Sequence, residues 1–347
     1  MKIGIVVNQI ETETAAYSTT MISSAAVHRE HEVYLISVGQ LSYLENGHMG
    51  AIAIKAPKTK FRSLEKYMEA IHSSEAEKVS ISSADLDVLF LRNNPCEEFG
   101  ERAWAQTAGM IFGQIAMAKG VLVVNDPYSL MSSFNKMYFQ HFPEEVRPRT
   151  IISRDSDEIK EFYKKEKKKI ILKPLQGSGG KDVFLVDSDK NMNQIVETIN
   201  RYGFVIAQEY LPAAKNGDIR VIMMNGKILE VKGKVAAINR VNNNDIRSNL
   251  HTGGKAIHAE ITDDIRRLCE IVGPKLVRDG MFMAGIDIVG NKIMELNLDS
   301  PGGINAMHRL EEVDFCSAMI EALERKINYQ NHYDGTLPNA FLATLDL

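Results

Sequence analysis

The chain has 347 residues, of which 44% are hydrophobic and 25% charged, an ordinary globular composition with enough length for two or three domains. Its net charge of -4 and pI of about 6.2 argue against the basic balance typical of nucleic-acid-binding or membrane-surface proteins. The three distant cysteines, the lack of a signal peptide and the lack of an apolar run of ~18 residues predict a cytoplasmic protein without disulfides or membrane spans.

The first 125 residues alternate apolar strands with helices, which predicts an open α/β domain with a mainly parallel sheet. Strands are predicted at 2–8, 32–38, 86–92 and 121–125, and helices at 20–28 and 103–119. No GxGxxG motif follows the first strand, so the fingerprint of a dinucleotide-binding domain is absent. Asp126-Pro127 breaks the pattern and predicts a domain boundary near this point.

Arg92 stands at the carboxyl end of the strand at 86–92. In open α/β sheets, ligands collect at this end of the strands. Arg92 is therefore a candidate to bind a substrate carboxylate, and a structural salt bridge is the equally simple alternative.

The next segment predicts a helix at 129–142 with Lys136 in its middle, a short strand at 150–153 and a helix at 156–165. The second helix ends in a lysine-rich run, residues 164–169. Lysines are favoured at the C-terminal end of a helix dipole, so we interpret this run as a solvated helix end.

A glycine-rich loop, Gly177 to Gly180, lies between two apolar strands, the first of which carries Lys173. A lysine in so apolar a strand is costly unless its ammonium meets an anion. Glycines let backbone N–H groups close over phosphate oxygens without Cβ clashes. The pattern favours a phosphate site, and an ordinary glycine hairpin beside a lysine that reaches solvent is the alternative.

A strand at 204–211 predicts a connector between two domains. The backbone of 207–211 and the carboxylate of Glu209 could hydrogen-bond an adenine amino group and a ribose. Asp218 and Arg220 follow, separated by one residue and therefore on the same face of a strand.

The stretch at 236–254 is polar, basic and rich in Asn and Gly, which predicts a long functional loop. Its candidates to hold phosphates or a substrate carboxylate are Arg240, Arg247 and Asn249. The guanidinium fork suits that task because it binds such groups with two hydrogen bonds.

Residues 285–303 predict a β-hairpin around the tight turn Gly290-Asn291. Glu295 and Asn297 face the same way on one strand, and Asp287 on the other strand could lie opposite them. Two carboxylates and an amide suit Mg²⁺ shared with phosphate oxygens. Acidic residues on the exposed face of a hairpin are the alternative.

Two helices, at 262–279 and 311–326, are predicted on either side of the hairpin. The last ~20 residues are polar, and we expect them to be loosely held.

In order and spacing, these features resemble the ATP-grasp carboxylate–amine ligases, most closely the bacterial glutathione synthetases. The similarity runs over nearly the whole chain and rests on KIGIVVNQI, IILKPLQGSGG, AQEYLPAAKNGDIRV and GIDIVGNKIMELNLDSP. It implies an ATP-grasp fold that follows the N-terminal α/β domain. The implied domains are 1–125, a central ATP-grasp subdomain at 126–205 and a C-terminal subdomain at 206–347.

The resemblance also implies a role for each matching residue. The residues implied to contact the nucleotide are Lys136, Lys173, Gly177, Ser178, Gly179, Gly180, Gln208, Glu209, Tyr210, Leu211 and Asp218. Those implied beside the acyl phosphate or on the lid loop are Asp218, Arg220, Arg247 and Asn249. Those implied to bind two metal ions are Asp287, Glu295 and Asn297, and those implied to line the acceptor site are Ser300, Pro301, Gly302 and Gly303.

The activity implied is the ATP-dependent formation of an amide bond through an acyl phosphate, with Mg²⁺, or alternatively Mn²⁺, as the metal. Glutathione synthesis from γ-glutamylcysteine and glycine is the leading prediction. The alternatives are another ATP-grasp peptide or amino-acid ligase, similar to the ribosomal-protein glutamate ligases, and a nucleotide-binding protein without catalysis. We expect small-molecule substrates, no nucleic-acid or membrane partner, and, by analogy with the family, a homodimer or homotetramer.

Two departures concern the substrates. The lid loop is more similar to that of the ribosomal-protein glutamate ligases, although it is one residue shorter between Arg240 and Asp245. The hairpin continues as LDSPGG where glutathione synthetases carry a VTSPT-like stretch, so Asp299 and two glycines change the charge and space beside the acceptor site.

Overall fold

A computed structural model describes residues 1–177, 179–242 and 253–346 of the chain. The described strands form three main sheets and one short hairpin. The first sheet comprises β1 (Lys2–Val7), β2 (Glu32–Ser37), β3 (Leu41–Tyr43), β4 (Met49–Lys55), β5 (Lys78–Ser82), β6 (Val88–Leu91) and β7 (Leu122–Val124). Its helices are α1 (Ser18–His28), α2 (Leu64–His72) and α3 (Ala108–Ala118), and α4 (Pro127–Ser132) follows.

The centre of the first sheet is parallel, as the sequence predicts. Strand β1 pairs in parallel with β2 and β6, and β6 pairs in parallel with β7, in the order β3-β4-β2-β1-β6-β7. Alternate residues of the central strands enter two different cores, with Val6 and Leu89 on one face and Ile5 and Phe90 on the other. Both faces are therefore buried, which explains the unbroken apolar runs.

The second sheet is antiparallel, in the order β10-β9-β11-β8, and has a core of its own. Its strands are β8 (Thr150–Ser153), β9 (Ile170–Pro174), β10 (Phe184–Val186) and β11 (Val205–Glu209), and its helices are α5 (Ser156–Lys165) and α6 (Met192–Asn200). Leu172 packs beneath these helices, so its strand neighbour Lys173 faces the other way. This sheet therefore presents Lys173 on the face that carries no helix.

The third sheet is also antiparallel, in the order β17-β16-β12-β18-β19, and β13 pairs with β12. Its strands are β12 (Asp218–Met224), β13 (Lys227–Ile228), β16 (Ala237–Val241), β17 (Lys255–Ile257), β18 (Met283–Val289) and β19 (Lys292–Asn297), and the short hairpin is β14 (Glu230–Val231) with β15 (Lys234–Val235). The remaining helices are α7 (Asp263–Arg278), α8 (Ile304–Glu311), α9 (Phe315–His332) and α10 (Asn339–Thr344).

The second sheet runs to Glu209, past the predicted boundary at residue 205. The division of the chain into three domains stays a prediction. Among the described residues, none of the helices combines the length and apolarity that crossing a bilayer requires.

Three predicted helices differ from the structure in their bounds. The helix expected at 129–142 is split: α4 ends at Ser132, and the Asn135 side chain accepts from Met137 N at 2.9 Å to start a separate 3₁₀ turn, Lys136–His141. Lys136 therefore begins an element instead of lying mid-helix. Residues 103–119 likewise begin as a 3₁₀ turn, and α3 starts only at Ala108.

The helix expected at 311–326 starts later in the structure, because Glu311 is the last residue of α8 and α9 begins at Phe315. Glu312 ends α8 in the left-handed region, with a φ of 56°. Asp314 then caps α9, because its side chain accepts from Ser317 N at 3.0 Å.

The expectation that the last ~20 residues are loosely held is wrong for α10. The Asn339 side chain accepts from Val123 N at 2.9 Å and donates to Val123 O at 3.0 Å. It also donates to Asp126 Oδ2 at 2.9 Å. Strand β7 lies at the edge of its sheet, and Asn339 satisfies backbone groups that this edge leaves unpaired.

We expect Asn339→Ala to lower the free energy of unfolding by ~1–3 kcal/mol, because the Val123 N–H and C=O lose their partners. Thermal and urea unfolding followed by circular dichroism measure this loss. Asn331→Ala in α9 is the matched control, since Asn331 is exposed, and it should cause no loss. Equal unfolding midpoints for Asn339→Ala and the wild type would contradict the anchoring of α10 by this residue.

Candidate active site

The hairpin of β18 and β19 brings the three predicted metal ligands together. Asp287 pairs directly with Glu295, and Gly285 pairs with Asn297, so the predicted hairpin is confirmed. Asn297 Nδ2 donates to Asp287 Oδ2 at 3.3 Å. The turn between the strands is Gly290-Asn291, where Gly290 takes a φ of 60° that glycine adopts without strain.

Asn125, which the sequence reading missed, holds this hairpin against the first sheet. Its Nδ2 donates to Met283 O at 2.8 Å and to Leu298 O at 2.7 Å, and its Oδ1 accepts from Met283 N at 2.8 Å. One buried amide therefore fixes the start of β18 and the residue that follows β19. Asn125 directly follows β7, at the carboxyl end of a parallel strand, and this position could have marked it as a candidate in the sequence.

Asp287 belongs to a buried network that contains two arginines and a second carboxylate. Arg220 lies opposite Asp287 on β12, and its guanidinium donates two hydrogen bonds to that carboxylate, one of them at 2.8 Å to Oδ2. Arg240 lies opposite Asp218 on β16, donates to Asp218 Oδ1 at 2.7 Å, and is 2.9 Å from Asp287 Oδ2. Two positive and two negative charges thus alternate across three neighbouring strands.

The network shifts the pKa values of its two carboxyl groups in opposite directions. Burial alone would raise the pKa of Asp287, but the positive charges of Arg220 and Arg240 outweigh burial and hold that pKa well below its usual range. Burial and the negative charge of Asp287 raise the pKa of Asp218, which Arg240 only partly offsets. The Asp287 carboxyl is therefore ionised at neutral pH, which is the form in which a carboxylate binds a divalent cation.

The donor set fits a divalent cation that is shared with phosphate oxygens. The described residues contain no group of three or more His, Cys, Asp or Glu side chains arranged to hold a metal. Glu295 and Asp287 with the Asn297 amide oxygen offer fewer ligands than a complete protein site. Mg²⁺ is commonly held in this way, by one or two carboxylates plus substrate phosphates and water.

A cleft between the second and third sheets contains this hairpin and the predicted phosphate-binding lysines. The residues that line it include Lys136, Lys173, Gly177, Gln208, Glu295, Asn297, Asp299 and Ser300. Residues from four separate predicted motifs therefore face one space.

Lys173 is buried in this cleft, with only 8% of its surface exposed, so its side chain does not extend into bulk solvent. Its Nζ donates to Gln208 Oε1 at 3.1 Å, and among the described residues no carboxylate forms an ion pair with it. Burial lowers the pKa of Lys173 to about 8, which the negative charge of Glu295 partly opposes. A buried ammonium without a counter-ion is a place for an anion, so the solvent-reaching alternative is not supported.

Lys136 connects the glycine loop to the hairpin. Its Nζ donates to Gly177 O at 2.5 Å and lies 3.5 Å from Glu295 Oε1. The loop glycines take backbone angles that favour glycine, with φ of 147° at Gly177, 65° at Gly179 and 73° at Gly180. Ser178 lies outside the described residues.

The side chains of the predicted adenine connector point in two different directions. Gln208 faces the cleft, whereas the next side chain, Glu209, accepts from Arg149 N at 2.8 Å and is 2.5 Å from the Arg149 guanidinium. Tyr210 lies under the Lys169 ammonium, 4.2 Å from its ring centre, and Leu211 is partly exposed. A nucleotide role for Glu209, Tyr210 and Leu211 stays a prediction.

Arg92 lines a second cavity, of about 430 Å³, together with Ser300, Gly302 and Gly303. Its guanidinium donates to Thr19 Oγ1 at 3.2 Å, Pro301 O at 3.0 Å and Met283 Sδ at 3.5 Å. None of the described carboxylates forms an ion pair with it, so the salt-bridge alternative for Arg92 is wrong. Glu13 lines the same cavity and was missed, because the polar loop after β1 carries no periodic signal.

For the three candidates from the predicted lid loop, a role in the site is not established by the structure. Arg247 and Asn249 lie outside the described residues. Arg240, a candidate for phosphates or a substrate carboxylate, is bonded to Asp218 and Asp287, so its binding role stays a prediction.

Family models for the prokaryotic glutathione synthetase match residues 1–131, as its N-terminal domain, and residues 135–312, as its ATP-grasp domain. The chain is 32% identical over 337 residues to a glutathione synthetase of Synechococcus elongatus, covering 94% of this chain and 99% of that protein. It is 30% identical over 332 residues to the glutathione synthetase of Brucella melitensis, with the same coverage of 94% and 99%.

Solved structures agree on the fold. D-cycloserine synthetase DcsG is similar with a TM-score of 0.62 at 12% identity, covering 92% of this chain and 99% of that chain. The ATP-grasp ligase PsnB complexed with minimal precursor, Mg and ADP is similar with a TM-score of 0.57 at 17% identity, covering 94% and 98%. The predicted α/β class with an ATP-grasp fold is confirmed.

The arginine–carboxylate network generates a stability prediction. Arg240→Met should lower the free energy of unfolding by roughly 3–5 kcal/mol, because Asp218 and part of Asp287 would remain buried without their counter-charge. Urea unfolding measures the change, and Arg62→Met, at an exposed arginine, is the matched control. If both variants unfold at the wild-type urea concentration, the network does not stabilise the third sheet.

Proposed function

Because the chain belongs to the prokaryotic glutathione synthetase family, we propose that it joins γ-glutamylcysteine to glycine, with conversion of ATP to ADP and phosphate. The chain is an ATP-dependent carboxylate–amine ligase that acts on small molecules and depends on a divalent metal. The observation that carries the proposal is one cleft lined both by Lys173, without an acidic partner among the described residues, and by Glu295 and Asn297 of the hairpin, whose partner strand carries Asp287.

The charges of the cleft suit phosphoryl transfer to a carboxylate. A carboxylate acylates amines poorly, and its phosphorylation creates a leaving group that an amine can displace. Lys173 and Lys136 would bind the transferring phosphate, which such chemistry requires because charge builds on its oxygens. Glu295, Asn297 and Asp287 would hold Mg²⁺, which neutralises phosphate charge when it is bound.

Arg220 would fix the position of the hairpin relative to the residues predicted to line the acceptor site. Its guanidinium is fixed by Asp287, and it also donates to Gly302 O at 3.3 Å. It thereby ties the metal-binding strand to the residues predicted to line the acceptor site. An acyl phosphate reacts readily with water, so the lid roles predicted for Arg247 and Asn249 would consist in excluding it.

A second candidate activity is peptide or amino-acid ligation with other substrates. It is favoured by the LDSPGG segment, whose Gly302 and Gly303 leave space in the wall of the second cavity. The solved ATP-grasp ligases that resemble this fold include one complexed with a precursor peptide, which fits this alternative. Family membership favours either ligase over a nucleotide-binding protein without catalysis.

The proposal extends to the identity of the metal, the oligomeric state and the cellular location. Mg²⁺ is the proposed metal because all three proposed ligands are oxygen atoms, which hard cations favour, and Mn²⁺, which accepts the same ligands, is the alternative. A homodimer or homotetramer and a cytoplasmic location are carried over from the sequence prediction.

The test is phosphate release from ATP and Mg²⁺ in the presence of γ-glutamylcysteine and glycine, with glutathione identified by mass spectrometry. We expect phosphate and glutathione in equal amounts, and no phosphate when either substrate is omitted. Phosphate release only with other acid and amine pairs would refute glutathione synthesis and keep the ligase activity.

We expect Glu295→Gln to lower kcat by roughly 10²-fold or more, because a metal ion contributes several kcal/mol of charge stabilisation to the transition state. Circular dichroism should show an unchanged fold. Glu270→Gln, at an exposed position of α7, is the matched control and should keep wild-type turnover. Near-normal activity of Glu295→Gln would remove this residue from the metal site.

The burial of Lys173 predicts how nucleotide affinity depends on pH. Bound phosphates favour the charged ammonium, so they raise the Lys173 pKa above its value of about 8 in the free protein. Affinity for a non-hydrolysable ATP analogue should be constant below pH ~8 and fall by about tenfold per pH unit above it. Calorimetric titration at several pH values measures this dependence.

Lys173→Met should bind the analogue weakly and without this decline above pH ~8. Lys190→Met, at an exposed lysine, is the matched control and should retain the wild-type profile. An unchanged profile for Lys173→Met would assign the pH dependence to another group.

A further inference from the structure

The second cavity contains side chains of both charge signs. It lies at the carboxyl end of the first sheet, between the start of α1 and the start of α8. The charged side chains that line it are Glu13, Arg92, Glu97 and Arg309. Its volume of about 430 Å³ falls within the range of roughly 300–1,000 Å³ typical of small-molecule pockets.

The positive part of the cavity is prepared for a carboxylate. Arg92 is 3% exposed, and within the described parts of the chain neither Arg92 nor Arg309 forms an ion pair. The N-termini of α1 and α8 also face this region, although the first N–H of α8, Ile304 N, already donates to Ser18 Oγ at 3.2 Å. The positive end of a helix dipole adds to the attraction that an arginine exerts on an anion.

The negative part of the cavity is prepared for a cation. Glu13 Oε2 is buried and accepts no hydrogen bond from any described residue. Glu97 already accepts from Asn94 Nδ2 at 2.9 Å, so its Oε1 is engaged. Burial raises the pKa of Glu13 to about 7 although the positive charge of Arg92 opposes the rise. A buried carboxyl oxygen without a donor is costly unless a ligand supplies that donor.

The cavity communicates with the nucleotide cleft. Asn94 and Ser300 line both spaces, whereas Glu13, Arg92 and Arg309 line only the second cavity of the two. A donor molecule that places its reacting carboxylate at Asn94 and Ser300 would therefore extend its other end toward Glu13 and Arg92.

We propose that this cavity binds the unreactive α-amino acid end of the carboxylate donor, with Glu13 accepting a hydrogen bond from the α-ammonium and Arg92 attracting the α-carboxylate. The inference rests on the proposed function, in which the γ-glutamyl group supplies such an end. The acceptor amine is not this ligand, because it must lose a proton and attack the acyl phosphate. Glu13 is thus a specificity-determining residue that selects donors with a free ammonium.

The test compares two donors that differ only in the ammonium group. N-glutarylcysteine has the shape and both carboxylates of γ-glutamylcysteine and lacks its α-ammonium. Calorimetric titration of the full-length protein, loaded with Mg²⁺ and a non-hydrolysable ATP analogue, gives Kd for each donor. We expect the wild type to prefer γ-glutamylcysteine by about 10- to 100-fold, as is typical of a hydrogen bond to a charged group.

Glu13→Gln should abolish that preference, because it should weaken the binding of γ-glutamylcysteine and leave the binding of N-glutarylcysteine unchanged. Glu11→Gln, at an exposed glutamate of the same loop, is the matched control and should keep the wild-type preference. Equal weakening of both donors by Glu13→Gln would mean a structural role and would overturn the proposal. A wild type that binds both donors equally, or binds neither, would overturn it as well.

Failure of the proposed function has a different signature. A wild type that prefers γ-glutamylcysteine through Glu13 but forms no glutathione from glycine supports the donor site and refutes the acceptor. A wild type that forms glutathione, with a donor preference that Glu13→Gln leaves unchanged, supports the function and refutes the role of Glu13.

Discussion

The site depends on the charge-balanced network of Arg220, Asp287, Arg240 and Asp218, which spans β16, β12 and β18. Two buried arginines keep Asp287 ionised and also fix the direction of its carboxylate. Removal of any member leaves an uncompensated charge in a low-dielectric environment. The same interaction therefore links the three strands of the third sheet and keeps the proposed metal ligand Asp287 ionised.

In the cleft and in the second cavity, by contrast, buried positive charges have no negative partner among the described residues. Lys173 and Arg92 are both buried, and each is stabilised within the described protein by neutral hydrogen-bond acceptors. The cost of desolvating these cations is recovered only when an anionic ligand arrives. Under the proposed function, nucleotide phosphates would complement Lys173 and a substrate carboxylate would complement Arg92.

The sequence predicted those parts of the site that depend on local periodicity. Asp287, Glu295 and Asn297 share a face because strands repeat every two residues, and Lys173 was conspicuous in an apolar strand. The arginine partners of Asp287 come from distant strands whose register no local pattern encodes. Glu13 was missed because its loop carries no periodic pattern, and Asn125 was missed although it stands at the carboxyl end of a strand, because its hydrogen-bond partners come from distant segments.

The C-terminal segment completes the N-terminal sheet. Helix α9 contributes Phe315, Met319 and Leu323 to the core that covers one face of that sheet, and α10 is bonded to its edge strand β7. Helices α1 and α2 belong to the same core, so during synthesis the first 125 residues can bury part of this face but must wait for the last 30 or so residues to complete the core. A fragment that ends after β7 would expose the apolar surface that α9 covers, so the segment that begins the chain is among the last to reach its complete native environment.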